Sequence, residues 1–222
     1  MSLFLTATIG LHWRKGVSMP YLVAQLAALA LGVLIGVQLP DIDLWLFFLA
    51  GSHRSILTHS PLIPYALFLA ARGRGPWWRW GAVGLSASFA GHLAFDVFPR
   101  AWYSGALVTV PFVGRLDPTL SLICLMASLI GSWYLALLLV EHKRDLSLVI
   151  LAGVVGFIIG GMRSGEAWFL PTLALAAGLF LASLLPNPAF NGRDFARETI
   201  ETVKSWRTGG ADEHPGPPRQ RR

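Results

Sequence analysis

The stretch at residues 39–61, LPDIDLWLFFLAGSHRSILTHSP, places two aspartates and two histidines between two apolar segments. A second motif, GHLAFD at 91–96, lies within an apolar segment and contains His92 and Asp96. These two residues are four positions apart, so on a helix they point to one face. Ionisable side chains are costly inside a membrane span and usually mark a functional site there. The two motifs therefore define the candidate site and the segments that must carry it.

The composition predicts an all-α, polytopic membrane protein. Of the 222 residues, 54% are hydrophobic and 14% are charged, and the mean hydropathy is +0.56. A membrane crossing needs about 20 residues, so the chain can form one helical bundle with about six transmembrane helices. The apolar segments predict spans at 20–39, 61–72, 80–98, 118–140, 146–162 and 168–186.

The basic residues predict the topology of this bundle. With the N-terminus in the cytoplasm, the outer loops contain only Arg54, Arg100, Arg115 and Arg163, and the remaining lysines and arginines lie on the cytoplasmic side. This is the positive-inside pattern, and it predicts that both termini are cytoplasmic. Because topology accounts for most of the net charge of +6, we expect contact with the lipid bilayer and no nucleic-acid partner.

The chain is predicted to have two regions. Residues 1–190 form the transmembrane domain that carries the site. Residues 191–222 form a cytoplasmic region with an amphipathic segment at 191–208 and a disordered basic tail. Within the first span, Gly32 and Gly36 are a small-xxx-small pair, which favours close packing against another helix. Asp117, which Pro118 follows, is typical of a helix N-cap rather than of a further ligand.

The loop RGRGPWWRW at 72–80 combines arginines with Trp77, Trp78 and Trp80. Basic residues interleaved with aromatic residues can stack single-stranded nucleic acid. Tryptophans at the end of a membrane span, however, typically form an interfacial aromatic belt. We therefore interpret this loop as part of a belt.

In this topology the polar side chains of the two motifs all fall on the outer side, at the level of the outer leaflet. Imidazole and carboxylate groups are ligands for zinc, manganese or iron, and six donors suffice for one or two ions. We predict a divalent-metal site, with zinc or manganese favoured, formed by Asp41, Asp43, His53, His59, His92 and Asp96. Arg54 is placed to hold a phosphate oxygen, and Thr58 and Ser60 to orient His59.

Two simpler explanations remain open at this point. Asp41 and Asp43 follow Pro40 and could cap the next segment. His92 and Asp96 could form a buried hydrogen-bonded pair without a metal.

Three motifs carry a resemblance to a known family. Pro-Asp-Ile-Asp at 40–43, His-Arg followed by Thr-His-Ser at 53–60, and His-Leu-x-x-Asp at 92–96 resemble the bacterial membrane-bound metal-dependent hydrolase family. The resemblance covers residues 20–111. It implies divalent-metal binding by the six residues named above, hydrolase activity, and a place in the bacterial cytoplasmic membrane.

The expected function is a metal-dependent hydrolase at the outer face of that membrane. Its expected substrate is a phosphoester of a lipid or other amphiphile, such as a phospholipid, with Asp41, Asp43 and Arg54 as catalytic residues. The alternative is a non-catalytic metal-binding membrane protein or a metal-ion transporter, although the spans contain few polar groups for a transport route. A lipid phosphatase of the phosphatidic-acid type is a third possibility, but the Pro-Ser-Gly-His motif expected there is absent.

Overall fold

The computed structural model describes residues 19–45, 54–98, 107–141, 145–165 and 167–187, and this part of the chain is mainly helical. A short 3₁₀ helix at Pro40–Leu44 follows the first α-helix. Two short strands, β1 (Thr109–Val110) and β2 (Gly114–Arg115), form an antiparallel hairpin. The α-helices are α1 (Met19–Gln38), α2 (Ile56–His59), α3 (Leu62–Ala71), α4 (Pro76–Val97), α5 (Pro118–Leu138), α6 (Leu146–Ser164) and α7 (Phe169–Ser183).

Each predicted span coincides with one of these helices, so the predicted helical class is confirmed. In the described part of the chain, three helices are long and apolar enough to cross a membrane, namely α1, α5 and α6. The helices α3 and α7 are apolar but shorter, with 10 and 15 residues. With 22 residues, α4 is about 33 Å long. Its sequence, however, is less apolar than that of α1, α3, α5, α6 or α7. The number of six crossings therefore stays a prediction.

The centre of the bundle is α4, which packs against α1, α3, α5, α6 and α7. Its residues from Ala82 to Gly91 are all buried, as are Leu93 to Val97. A helix that is buried on every side must be covered by other helices. The small residues of this segment let those helices approach closely, and polar residues at its end consequently face protein.

The α1–α4 contact confirms the prediction made for Gly32 and Gly36. A Cβ atom added to Gly32 would lie 2.9 Å from the backbone nitrogen of Leu85, and one added to Gly36 would lie 2.9 Å from the Leu85 Cα. Both distances are below van der Waals contact, so only glycine permits this approach. Gly84 of α4 makes the reciprocal contact, because its Cβ would lie 3.1 Å from the nitrogen of Val33.

These contacts also fix the direction of the helices. Residue 32 of α1 meets residues 81 and 85 of α4, and residue 36 meets residues 85 and 88, so the two helices run parallel. The helix α6 is parallel to them too, since Gly156 meets Ser88 and Gly160 meets Phe95. The C-terminal ends of α1, α4 and α6 therefore lie at the same end of the bundle. This places the aspartates after α1 beside the histidine and aspartate of α4.

Two short elements close this end of the bundle. Ser55 is the N-cap of α2, and its hydroxyl accepts a hydrogen bond from the Leu57 nitrogen. The nitrogen of Thr109 in β1 donates to the carbonyl of Arg54 at 2.9 Å. The predicted N-cap at Asp117 is confirmed, because its carboxylate accepts from the nitrogens of Thr119 and Leu120 at the start of α5. The hairpin is thus fixed between α2 and α5.

One detail of the predicted aromatic belt is wrong. Trp77 and Trp78 are exposed, but Trp80 is only 2% exposed and lies in the core. The reason is helical geometry: Trp80 begins the buried stripe of α4 that continues with Ala82 and Val83. The predictions for His53, for Arg100 and for residues 191–222 lie outside the described residues, and so do residues 1–18 at the start of the predicted transmembrane domain.

Candidate metal centre

Five of the predicted ligands lie together at the shared end of α1 and α4. His92 and Asp96 come from the last two turns of α4, one turn apart on the same face. His59 is the last residue of α2, and Asp41 and Asp43 come from the 3₁₀ helix after α1. His53, the sixth predicted ligand, lies outside the described residues.

The centre of the cluster is the carboxylate of Asp96. Its Oδ2 atom lies 3.3 Å from Nε2 of His59 and 3.3 Å from Nε2 of His92. One ligand atom from each of these three residues lies within 4.8 Å of the other two. Ligand atoms held tetrahedrally about 2.0 Å from a zinc ion are about 3.3 Å apart. The three side chains therefore have a spacing that fits a single small cation, with two imidazole nitrogens and one carboxylate oxygen.

Burial of the cluster favours this interpretation. His59 is 2% exposed and Asp96 is 5% exposed, and His92 is partly buried. Buried carboxylates need a partner of opposite charge or a metal. His92 Nε2 also lies 3.7 Å from Oδ1 of Asp41, in the segment that follows α1. Because His92 belongs to α4, the parallel packing of α1 and α4 brings these two side chains together.

Asp43 lies on the opposite side of the His59 ring from Asp96. Its Oδ2 atom is 3.4 Å from His59 Nδ1, whereas Asp96 faces Nε2. The same oxygen of Asp43 accepts hydrogen bonds from the Ser55 nitrogen and the Thr58 hydroxyl, each at 2.9 Å. A carboxylate in this position favours the tautomer of His59 that carries its proton on Nδ1. The Nε2 lone pair is then directed toward the side where Asp96 lies.

Thr58 and Ser60 were both predicted to orient His59, and the structure separates them. The Thr58 hydroxyl lies 3.0 Å from His59 Nδ1 and bonds to Asp43. The Ser60 hydroxyl instead accepts from the Leu62 nitrogen at the start of α3. Ser55, whose role the sequence does not indicate, is fully buried and connects Asp43 to α2 through its backbone nitrogen. A serine here is typical of a helix N-cap, but its backbone nitrogen makes the contact with Asp43, and the residue type does not predict that contact.

Asp41 occupies a more open position than Asp43. Its Oδ1 atom lies 3.7 Å from His92 Nε2, and its side chain is 32% exposed. The two aspartates, equivalent in the sequence, therefore have different surroundings. Asp41 lies at the solvent-facing side of the cluster, and Asp43 is enclosed behind His59.

Arg54 completes the cluster. Its Nε atom donates to Asp96 Oδ1 at 2.8 Å, so Asp96 binds an arginine with one oxygen and faces two histidines with the other. Arg54 has a φ of +62°, a left-handed conformation that is strained for a residue with a side chain and is concentrated at functional sites. Its carbonyl accepts a hydrogen bond from the Thr109 nitrogen in β1. A guanidinium has five N–H donors, and the contact with Asp96 uses the one on Nε.

Comparisons of the chain with protein-family models, with curated proteins and with solved structures find no match. The cluster itself is therefore the basis for assigning a function to the chain.

Proposed function

We propose that this protein is a membrane-embedded, metal-dependent hydrolase that acts on a phosphoester of a lipid or other amphiphile. The observation that carries the proposal is the convergence of His59, His92 and Asp96 with spacings that suit one cation, beside an arginine that shares Asp96. Zinc or manganese is the preferred ion, because the donor set combines two imidazoles with a carboxylate. Such an ion lowers the pKa of bound water toward neutrality and polarises a phosphoryl oxygen.

In this mechanism Asp41, Asp43 and Arg54 have three different roles. Asp41 is the preferred general base, because its carboxylate is at the open side of the cluster and near His92. Asp43 is less suited to accept a proton from water, since its Oδ2 already accepts two hydrogen bonds. It instead orients His59 and offsets positive charge. Arg54 binds a phosphoryl oxygen through N–H groups other than Nε.

The position of the cluster suits a substrate at the membrane surface. Asp96 lies one residue and His92 five residues before the end of α4 at Val97, which is about 1.5 Å and about 7.5 Å along the helix. In a bundle with six crossings this depth corresponds to the headgroup region. The distribution of basic residues favours cytoplasmic termini, which would direct the cluster to the outer face of a bacterial cytoplasmic membrane. This agrees with the resemblance of the motifs to membrane-bound metal-dependent hydrolases.

A non-catalytic metal-binding protein is the second candidate. The Arg54–Asp96 ion pair favours it. Arg54 neutralises the buried carboxylate of Asp96, and this role stabilises the protein whether or not a reaction takes place. A transporter is less well supported. Between residues 82 and 91, before His92, α4 contains mainly Ala and Gly, with Ser86 and Ser88 as its polar side chains.

Metal content is the first experiment. Detergent-purified wild-type protein should contain a near-stoichiometric transition metal by mass spectrometry, and a variant with His92→Ala and Asp96→Ala should contain almost none. The matched control is Ser60→Ala, which is next to His59 but bonds to α3 and should keep its metal. A wild-type protein that stays metal-free after incubation with zinc and manganese refutes the metal site and the hydrolase together.

Turnover is the second experiment. Metal-loaded protein in mixed micelles should release the headgroup phosphate from a phospholipid or a polyprenyl phosphate, and the double variant should not. If the protein binds metal stoichiometrically but turns over none of these phosphoesters, the non-catalytic candidate replaces the hydrolase.

A further inference from the structure

At the opposite end of the bundle from the metal cluster, an apolar groove opens between α1, α3 and the start of α4. Its volume is about 280 Å³. It extends on α4 from Trp77 to Leu85, which is about 12 Å along the helix and similar to one leaflet of a hydrocarbon core about 30 Å thick. Its principal lining residues are Leu31, Ile35, Leu67, Trp77, Trp78 and Gly81.

A positive charge lies at one end of this groove. The guanidinium of Arg74 lies 4.8 Å from the centre of the Trp78 ring, which is a cation–π distance. Arg74 and Arg72 are both exposed, whereas Arg79, in the first turn of α4, forms an ion pair with Glu141. The end of the groove therefore combines two tryptophans with accessible positive charge.

From these observations we infer that the groove binds one acyl chain of an anionic phospholipid, whose phosphate lies at Arg74. The apolar lining matches a hydrocarbon chain, and the arginine matches an anionic headgroup. Tryptophan rings such as Trp77 and Trp78 prefer the headgroup level. Basic pockets between membrane helices on the cytoplasmic side are suited to anionic lipids.

This lipid site is separate from the metal cluster. Leu85, at the inner end of the groove, is seven residues before His92, about 10 Å along α4. A phosphate at Arg74 would lie still farther away, at the other end of α4. The inference depends on insertion of the bundle in a membrane but not on the presence of a metal. A lipid bound here would be a structural or regulatory ligand rather than the substrate of the cluster.

Native mass spectrometry of the full chain in detergent tests this inference. The purified protein is titrated with phosphatidylglycerol or with phosphatidylcholine of the same acyl chains. We expect one phosphatidylglycerol to be retained per chain, with an affinity at least fivefold above that for phosphatidylcholine. Arg74→Gln should lower the affinity for phosphatidylglycerol about fivefold, which corresponds to about 1 kcal/mol for one basic residue near the headgroups. Its matched control is Arg115→Gln, which removes an exposed arginine at the other end of the bundle.

A second variant tests the groove without changing charge. Gly81→Leu should fill the groove and reduce the retention of both lipids. A Cβ atom at Gly81 meets only the Ala28 carbonyl, at 3.8 Å, so the unfolding temperature without lipid should stay within a few degrees of the wild type. Equal retention of the two lipids by all four proteins would indicate annular lipid only and would overturn the inference. Absence of retained lipid in the wild type would overturn it as well, and would indicate that another segment of the chain covers the groove.

Discussion

The position of Asp43 allows a quantitative test of the candidate metal centre. Asp43→Asn keeps the size of the side chain but removes the charge that lies 3.4 Å from His59 Nδ1. Residues that orient a metal-binding histidine in this way typically change metal affinity by 10- to 100-fold when substituted. We therefore expect zinc affinity to fall by about 10- to 100-fold, or about 1.4 to 2.7 kcal/mol at 25 °C.

The assay is a competition titration with a chromophoric zinc chelator on detergent-purified, metal-free protein. Asp117→Asn is the matched control, because it removes an aspartate that caps α5, and asparagine is an equally good N-cap. Its zinc affinity should match that of the wild type. His92→Ala should abolish measurable binding, because it removes one of the three converging ligand atoms.

Two results would refute this reasoning. If Asp43→Asn binds zinc as tightly as the wild type, the contact between Asp43 and His59 has no effect on the metal. If it loses zinc as completely as His92→Ala does, Asp43 is a direct ligand and the position assigned to it behind the His59 ring is wrong.

Three further predictions concern packing, turnover and metal linkage. Gly32→Val should destabilise the protein by about 1 to 3 kcal/mol through overpacking against α4, measured as a lower unfolding temperature. Gly75→Ala is its control, since nothing lies within 4 Å of the added Cβ, and an equal loss in both would refute the α1–α4 packing. Arg54→Lys should keep the metal but lower phosphoester turnover about tenfold, or about 1.4 kcal/mol, because lysine lacks the guanidinium fork; unchanged turnover would exclude Arg54 from substrate binding. Saturating zinc at 100 times its Kd should stabilise the wild type by about 2.7 kcal/mol and His92→Ala by almost nothing, which thermal unfolding with and without chelator measures.

The long apolar segments could be located from the sequence alone. Hydropathy and length place a helix within a few residues, as for the segment predicted at 118–140 and observed as Pro118–Leu138. The short elements could not be found in this way. The 3₁₀ helix, α2 and the two-residue strands have no usable periodicity, and contacts with neighbouring segments determine them. Trp80 was misassigned because its position beside Trp77 and Trp78 in the chain gives no indication that its side chain faces the core.

The candidate site was likewise only partly predictable. His92 and Asp96 share a helix face, so their proximity follows from their spacing. Asp41 and Asp43 cannot be distinguished in the sequence, because each is an aspartate in the same short segment. The different exposure of their side chains depends on how the 3₁₀ helix packs against α2 and α4, which is a tertiary contact. The same applies to Ser55, whose backbone nitrogen rather than its side chain binds Asp43.

The parallel arrangement of α1 and α4 determines when the cluster can form during biosynthesis. A nascent chain that contains α1 to α3 already has Asp41, Asp43 and His59, but it lacks the carboxylate of Asp96 and the imidazole of His92. His92 and Asp96 reach the other three residues only when α4 packs against Gly32 and Gly36 of α1. The cluster can therefore assemble only after the central helix has docked against α1. A substitution that delays this docking would leave His59 without its contact to Asp96 and Asp41 without its contact to His92.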